Sequence, residues 1–284
     1  MKGDDSLTWH LVADTACDLY TLEGGNDQMD FATIPFTIRI GGKDYIDNEQ
    51  MPIAEMLEAN ESHAEMAQTA CPSPEDWKNC FSAPGPVIAF TISSALSGSY
   101  NSACAAREMM LEEEPDKQIA VIDSKATGPE ESMLVWRARD LILAGKDFAE
   151  IEKDLNETAE KIHTSFALAS YHNLIKAGRV SRLIGFIAGH LGFWGIGIGD
   201  ENGEIAIRGK ARGSRSMIRF LTEEIARVGV AGKQILISHC MNEKDALALK
   251  AALEQANPGT EVRVQPTRGL DSFYAERSGL IVGY

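Results

Sequence analysis

Hydroxyl side chains crowd the stretch from Thr91 to Ala103, where Ser93, Ser94, Ser97, Ser99 and Ser102 follow one another closely. An apolar run, Val87 to Ile92, precedes it and predicts a buried strand; a run from Ser102 to about Glu113 predicts a helix. A turn between a strand and a helix start is a place for an anion. Backbone N–H groups lack partners there, and the positive end of the helix dipole points outward. Hydroxyls add donors that rotate to suit the ligand. No Lys or Arg lies within the stretch, so a singly charged carboxylate suits it better than a nucleotide triphosphate. A second hydroxyl turn surrounds Thr69, just ahead of Pro72 and Ser73, and Thr69 is read as a ligand contact rather than as a local turn bond. Ser93 and Ser94 are neighbours at a strand end and face opposite ways, so at most one meets the ligand directly. Ser97 and Gly98 either touch the ligand or only shape the helix entry.

Other chemistries lack their parts. There is no GxxxxGK[ST] phosphate loop. The run Gly195 to Gly199 resembles a dinucleotide fingerprint, but Asp200 stands where the third glycine belongs. No HExxH occurs, the six histidines are dispersed, and no metal site or cofactor is expected. His239, at a strand end, is read as structural. The serine at a strand–helix turn, Ser97, leaves one enzymatic alternative: a serine-dependent hydrolase or acyl transferase. Against it, Ala95 replaces the first glycine of GxSxG and no His–Asp pair is placed beside it. With no paired general acid and base, the chain is read as a binding protein rather than an enzyme.

These turns must be held by a scaffold, and the composition is that of a folded one: 44% hydrophobic and 24% charged over 284 residues. The length suggests one large or two ordinary domains. A net charge of −15 opposes general binding to nucleic acid and to anionic lipid surfaces. The opening Met1 to Ser6 lacks the apolar core of a signal peptide, and no apolar run is long enough to span a bilayer. Five scattered cysteines without a CxxC pair fit reduced thiols, so a cytoplasmic location without membrane anchoring is expected.

Strand-like and helix-like segments alternate through the first half. Leu7 to Ala13 reads as a strand, as does Ala32 to Ile40 with its period of two. Helices are expected over 52–59, 74–81, 102–113 and 129–144, with strands at 87–92 and 118–122. Met109, Met110 and the Leu and Ile side chains of 129–144 are read as ordinary core. Such alternation implies a parallel sheet covered on both faces, with ligands beyond the carboxyl ends of its strands. Asp14, Thr91 to Ser97 and Asp123-Ser124 all fall at such ends. Asp147 is expected to cap a helix running to about Lys161, with a domain boundary behind it. The expected division is 1–162, an N-terminal parallel α/β/α domain, and 163–284, a C-terminal α/β domain with a mixed sheet. In the latter, strands are read at 165–169, 234–239, 261–265 and 280–282, a short helix at 171–177, a helix over 242–255 capped by Asn242, and a hairpin turn at Glu201 to Glu204.

Several segments, in order, resemble one family. Thr69-Ala-Cys-Pro-Ser73 is similar to the Thr-Ser-Gln-Pro-Ser motif of the DegV family. Ile92 to Ala103 resembles its Ile-Ser-Ser-x-Leu-Ser-Gly-Thr-Tyr-x-Ser-Ala signature, Val121 to Ser124 its Val-Ile-Asp-Ser strand end, Leu174 to Val180 its Leu-x-Lys-Gly-Gly-Arg-Ile segment, and Val12 to Ala16 its opening Asp-Ser-Thr. The resemblance implies a two-domain α/β protein that buries a long-chain fatty acid between its domains. It further implies a carboxylate held by Thr69, Ser93, Ser94, Ser97 and Gly98. In bacteria with a fatty-acid kinase system, such a protein presents the acid to a separate kinase subunit. Arg179 is either a helix C-terminal cation or, by the resemblance, a residue near the domain interface; Asp14 is a turn residue adjacent to the ligand region. Two departures stand out. Tyr274 occupies the position of a family His that helps the carboxylate, and Phe193 to Ile196 replaces Lys-Pro-Ile-Leu, so that Trp194 is expected to shorten or reshape the acyl tunnel.

Overall fold

The structure is a computed structural model and describes residues 8–63, 67–180, 192–230 and 232–284. Leu7, expected to begin the first strand, and the polar opening Met1 to Ser6 lie outside the described residues.

Four strands form the parallel sheet expected of the first half: β1 (Trp9–Asp14), β2 (Met29–Ile34), β6 (Val87–Thr91) and β7 (Ile119–Asp123), in the order β2-β1-β6-β7. Successive side chains along a strand point to opposite faces. Leu11, Ile88, Phe90 and Ile122 therefore pack under α4 (Pro129–Leu143) and α5 (Phe148–Ala159), against Leu134, Ile142, Ile151 and Leu155. Val12, Ala89 and Val121 face the other way, onto Trp77 and Phe81 of α2 (Pro74–Phe81) and Ala103, Ala106 and Met110 of α3 (Ser99–Glu113). Leu134, Leu141 and Ile142 of α4 are core, as read, but Leu143 at its end is exposed; Met110 is buried, and Met109 turns out to solvent. Asp147 caps α5, its side chain accepting from the Glu150 amide at 2.8 Å.

The alternating run 32–40 is not one strand. Pro35 cannot donate to a ladder and breaks it. Its first part ends β2, and its second becomes β3 (Thr37–Ile40) of a separate antiparallel sheet with β4 (Lys43–Ile46) and β5 (Gln68–Ala70). The expected boundary at 162/163 falls between α5 and β8 (Thr164–Leu168).

Beyond it lies a mixed sheet in the order β10-β9-β8-β13-β11-β12, built from β9 (Phe193–Gly199), β10 (Ile205–Arg212), β11 (Gln234–His239), β12 (Glu261–Pro266) and β13 (Leu280–Gly283). One face packs on α7 (Ser214–Ala226) and α8 (Glu243–Ala256). The other carries Phe166, Leu168 and Ile281 against Ile38, Met56 and Leu57 from the first half, α6 (His172–Lys176) and α9 (Gly269–Ala275). Asn242 precedes α8 but does not cap it: its side-chain Nδ2 donates to Ser278 O at 2.9 Å, tying the loop to the β13 approach instead. No helix among the described residues is long and apolar enough to cross a membrane.

Trp194 does not reach a tunnel. On β9 it shares a face with Ile196 and packs with Met217 and Leu221 in the core beneath α7. The alternate positions on the opposite face are glycines, and this explains the run that resembled a dinucleotide fingerprint. A Cβ on Gly197 would collide with the Phe166 ring, and one on Gly199 would meet Thr164. The glycines keep that face of β9 low where β8 side chains lean across it.

Candidate functional site: an apolar cavity with a hydroxyl mouth

The carboxyl ends of β1, β6 and β7 gather where the strand–helix turns were expected to meet. Asp14, fully buried, organises the junction. Its carboxylate accepts from the amides of Ala16 at 3.0 Å and Ile92 at 3.1 Å and from the Ser99 hydroxyl at 2.6 Å. Burial pushes its carboxyl up to about 6, while those donors pull it down. It thus fixes both the entrance to the serine turn and the start of α3, which begins at Ser99 rather than at Ser102.

The serines of that turn divide their labour. Ser94 is exposed; its hydroxyl donates to the Asp123 carboxylate and its amide donates to the same group at 3.1 Å. Ser93 is buried and donates to Gly203 O at 2.8 Å, on the turn between β9 and β10. Ser93, Ser94 and Asp14, all read as close to the ligand, are not among the described walls of the cavity beside this turn; the bonds above tie them to other chain segments. Ser97 and Gly98, one step further on, do line it.

That cavity encloses about 1020 Å³ of space between atoms, part of it open to solvent. Its deep walls are buried and apolar: Phe36, Ile92, Phe166, Leu168, Leu270 and Ile281. Thr69, on β5, and Tyr274, on α9, face each other across it with their hydroxyls 2.9 Å apart. Both are only partly buried, and Gly98, Arg179 and Glu204 at the rim are exposed, so this polar end is the mouth. Arg179 therefore lines the cavity directly. Nothing in the segment around Thr69 announced its pairing with Tyr274, which lies 205 residues away.

Sequence reasoning missed other polar walls. Thr127 donates to Asp271 Oδ1 at 2.6 Å, and both line the cavity, as do Lys125, Thr164 and Cys71. The loop after β7 carries Lys125 and Thr127, and its position at a strand end was the available signal. The Ser97 hydroxyl accepts the Ser99 amide at 3.3 Å, and no histidine stands among the described cavity walls to act as its base. His239 accepts the Asn242 amide through Nδ1 at 3.3 Å and lies away from the cavity. Among the described residues, no group of three His, Cys, Asp or Glu is placed to hold a metal ion.

An enclosed apolar space with a hydroxyl-lined opening can hold a long apolar molecule by its length and a small polar group by its end. Comparison with known proteins gives the same architecture a family. The model described as "Uncharacterised protein, DegV family" matches residues 8–275. A DegV domain-containing protein of Streptococcus pneumoniae is 36% identical over 278 residues, which is 98% of this chain and 99% of that one. The crystal structure of the Streptococcus pneumoniae Fatty Acid Kinase (Fak) B3 protein loaded with linoleic acid is similar with a TM-score of 0.94 at 36% identity, covering 98% of this chain and 99% of that one. A DegV family protein from Eubacterium eligens loaded with heptadecanoic acid follows with a TM-score of 0.92 at 36% identity, covering 97% and 99%. With an α/β fold shared over nearly its whole length, this chain belongs to the DegV family.

Proposed function

We propose that the protein binds a long-chain fatty acid in this cavity, with the carboxyl group at the Thr69–Tyr274 mouth, and presents that group to a fatty-acid kinase subunit. The observation that carries the reading is the polarity gradient of the cavity: hydroxyls at the exposed end, buried Phe, Leu and Ile at the other. Each methylene removed from water contributes about 0.8 kcal/mol, so a long acyl chain supplies tight binding even after association costs. The head group then needs only enough donors to avoid a stranded charge. Thr69 and Tyr274 supply hydroxyls, Ser97 and Gly98 flank them, and Arg179 adds a cation at the rim. The relatives solved with linoleic and heptadecanoic acid support the ligand class, and the relative named as a fatty acid kinase B protein supports the kinase partnership. In this reading the protein is a carrier that exposes a substrate, acts in the cytoplasm and needs no cofactor; five free cysteines suit that compartment.

Native mass spectrometry of the freshly purified protein is expected to show an adduct of fatty-acid mass that organic extraction removes. A clean unliganded mass, together with no uptake of a fluorescent fatty acid, would overturn the proposal. Thr69→Val and Tyr274→Phe each remove one hydroxyl without changing volume much. Each is expected to weaken binding of the fluorescent acid about tenfold, the loss of one hydrogen bond to a charged group. If both variants bind as the parent does, the head group lies elsewhere.

A further inference from the structure

Ser93 belongs to the serine motif of the family, yet its hydroxyl is spent on another part of the chain, and what it holds is the rim of the cavity. The turn between β9 and β10 is tightly built: the Gly203 amide donates to Asp200 O at 3.0 Å, and the amides of Asn202 and Glu204 donate to Asp200 Oδ1 at 2.9 and 3.0 Å. Gly203 and Glu204 line the cavity, Glu204 at its exposed mouth. The turn is therefore braced as one unit, and it reaches from the mixed sheet over to the first half of the chain. The bond that fastens it there runs from Ser93 Oγ to Gly203 O, at 2.8 Å and buried.

The fit around this bond is close on both sides. Gly203 has φ of +75°, where side chains are strained, and a Cβ there would stand inside contact distance of the Ser93 hydroxyl and 3.0 Å from Lys125 O. Ser93 is itself anchored. Its amide donates to Ala126 O at 2.8 Å, and its carbonyl accepts the amides of Leu96 at 3.0 Å and Ser97 at 3.1 Å. One residue thus joins the loop after β7, the opposite rim at Ser97 and the β9–β10 turn.

We infer that the β9–β10 turn is the gate of the cavity and that Ser93 is its latch, a positioning residue that sets how fast the ligand enters and leaves without touching it. The inference rests on the reading of the cavity as a fatty-acid site, and it parts from a ligand-binding role for Ser93 in a measurable way. A latch alters the barrier, so its loss speeds entry and exit together and leaves the affinity nearly unchanged. A residue that contacts the carboxylate alters the bound state, so its loss speeds exit alone and weakens affinity.

The test is stopped-flow uptake and release of a fluorescent fatty acid by the full chain, release being driven by excess lipid vesicles. Ser93→Ala is expected to raise both rates about five- to tenfold, as for the loss of one buried hydrogen bond, with the dissociation constant changed less than twofold. Ser93→Thr keeps the hydroxyl and is expected to restore slow exchange. Gly203→Ala pushes the turn off the latch and is expected to match Ser93→Ala. The double variant should be no faster than either single one, because both break the same contact. Faster release with unchanged uptake, or additive effects in the double variant, overturns the latch. Hydrogen exchange of the unliganded protein is the readout that does not depend on ligand. Ser93→Ala should raise exchange in peptides covering 200–204 while β8 and β13 stay protected. Unaltered exchange there sinks the latch even where fatty acid binds well; absence of any uptake by the parent protein sinks the fatty-acid reading and leaves the exchange result to judge the turn.

Discussion

Raising the pH from 5 to 8 is expected to cost this protein about 4 kcal/mol of folding stability through Glu130 alone. The cause is a set of carboxyl groups buried where the two sheets meet: Asp14, Asp18, Asp47, Glu130, Glu131 and Asp271, with Arg268 the cation buried among them. Both oxygens of Glu130 and of Glu131, and Oδ2 of Asp18 and of Asp271, have no hydrogen-bond partner among the described residues. Burial penalises their charged forms and pushes every one of them up: Glu130 to about 8, Asp18 to about 7 and Asp14 to about 6. For Glu130, the unfolded chain releases its proton near 4.5, and the native protein holds it to about 8. Below 4.5 both states carry the proton and stability is fully present. Between the two values only the native state does, so stability falls by about 1.4 kcal/mol per pH unit; above 8 that loss is complete. Asp18 and Asp14 add to the loss, their shares ending near 7 and 6. His239, half-buried, and His163, exposed but partly desolvated with Lys233 nearby, are pushed down and act the opposite way, destabilising below their ordinary value. Urea unfolding of the parent and of Glu130→Gln across this range checks the expectation. The variant cannot ionise there and should lose about 4 kcal/mol less between pH 5 and 8. Parallel curves for the two proteins would show that Glu130 is not the proton holder.

Arg268→Ala is expected to destabilise the protein by about 3–5 kcal/mol, among the largest effects of any single substitution. The side chain is 1% exposed. Its Nη1 donates to Leu19 O at 2.6 Å and to Thr33 Oγ1 at 3.3 Å, its Nη2 to Asp47 O at 3.1 Å, and its guanidinium lies 4.3 Å over the ring of Tyr20. Its own amide donates to Asp18 Oδ1 at 2.7 Å, while Asp47 accepts the next two amides, of Gly269 and Leu270, at 2.9 and 2.8 Å. Removing the cation strands Asp47 and Asp18 in a buried site and frees two carbonyls. Lysine should not rescue it, because a single ammonium cannot reach the diverging acceptors that the planar fork meets. The same network seats the start of α9, and α9 carries Tyr274 to the cavity mouth. Arg268→Ala should therefore weaken binding of a fluorescent fatty acid as well as lower the urea midpoint. A midpoint shift worth less than about 1 kcal/mol would mean that the buried ion pair contributes little here.

Local pattern carried a good part of the architecture. The apolar strands of the first half and the helices between them were legible because burial on both faces leaves an unbroken hydrophobic run in the sequence. The capping of α5 by Asp147 and the turn after Asp200 were legible because their hydrogen bonds lie within a few residues. The run 32–40 was not, because its alternation belongs to two different sheets, and Pro35 alone marks the break. The cap expected of Asn242 failed for a related reason: its Nδ2 donates to a distant carbonyl, Ser278 O, and that orientation of the side chain goes with no bond from its oxygen to the amides of the helix.

At the site the division is sharper. Residue types along the chain marked the serine turn and the Thr69 segment as places rich in donors, because a strand end leading into a helix leaves groups unpaired wherever it occurs. Which of those donors would remain available was decided by chain segments far away in sequence. The β9–β10 turn claims Ser93, the end of β7 claims Ser94, and Asp14 claims Ser99, while Tyr274 comes across from α9 to complete the mouth at Thr69. A hydroxyl bonds whatever stands within about 3 Å of it, and that neighbour is set by how the sheets pack, not by the order of residues around it.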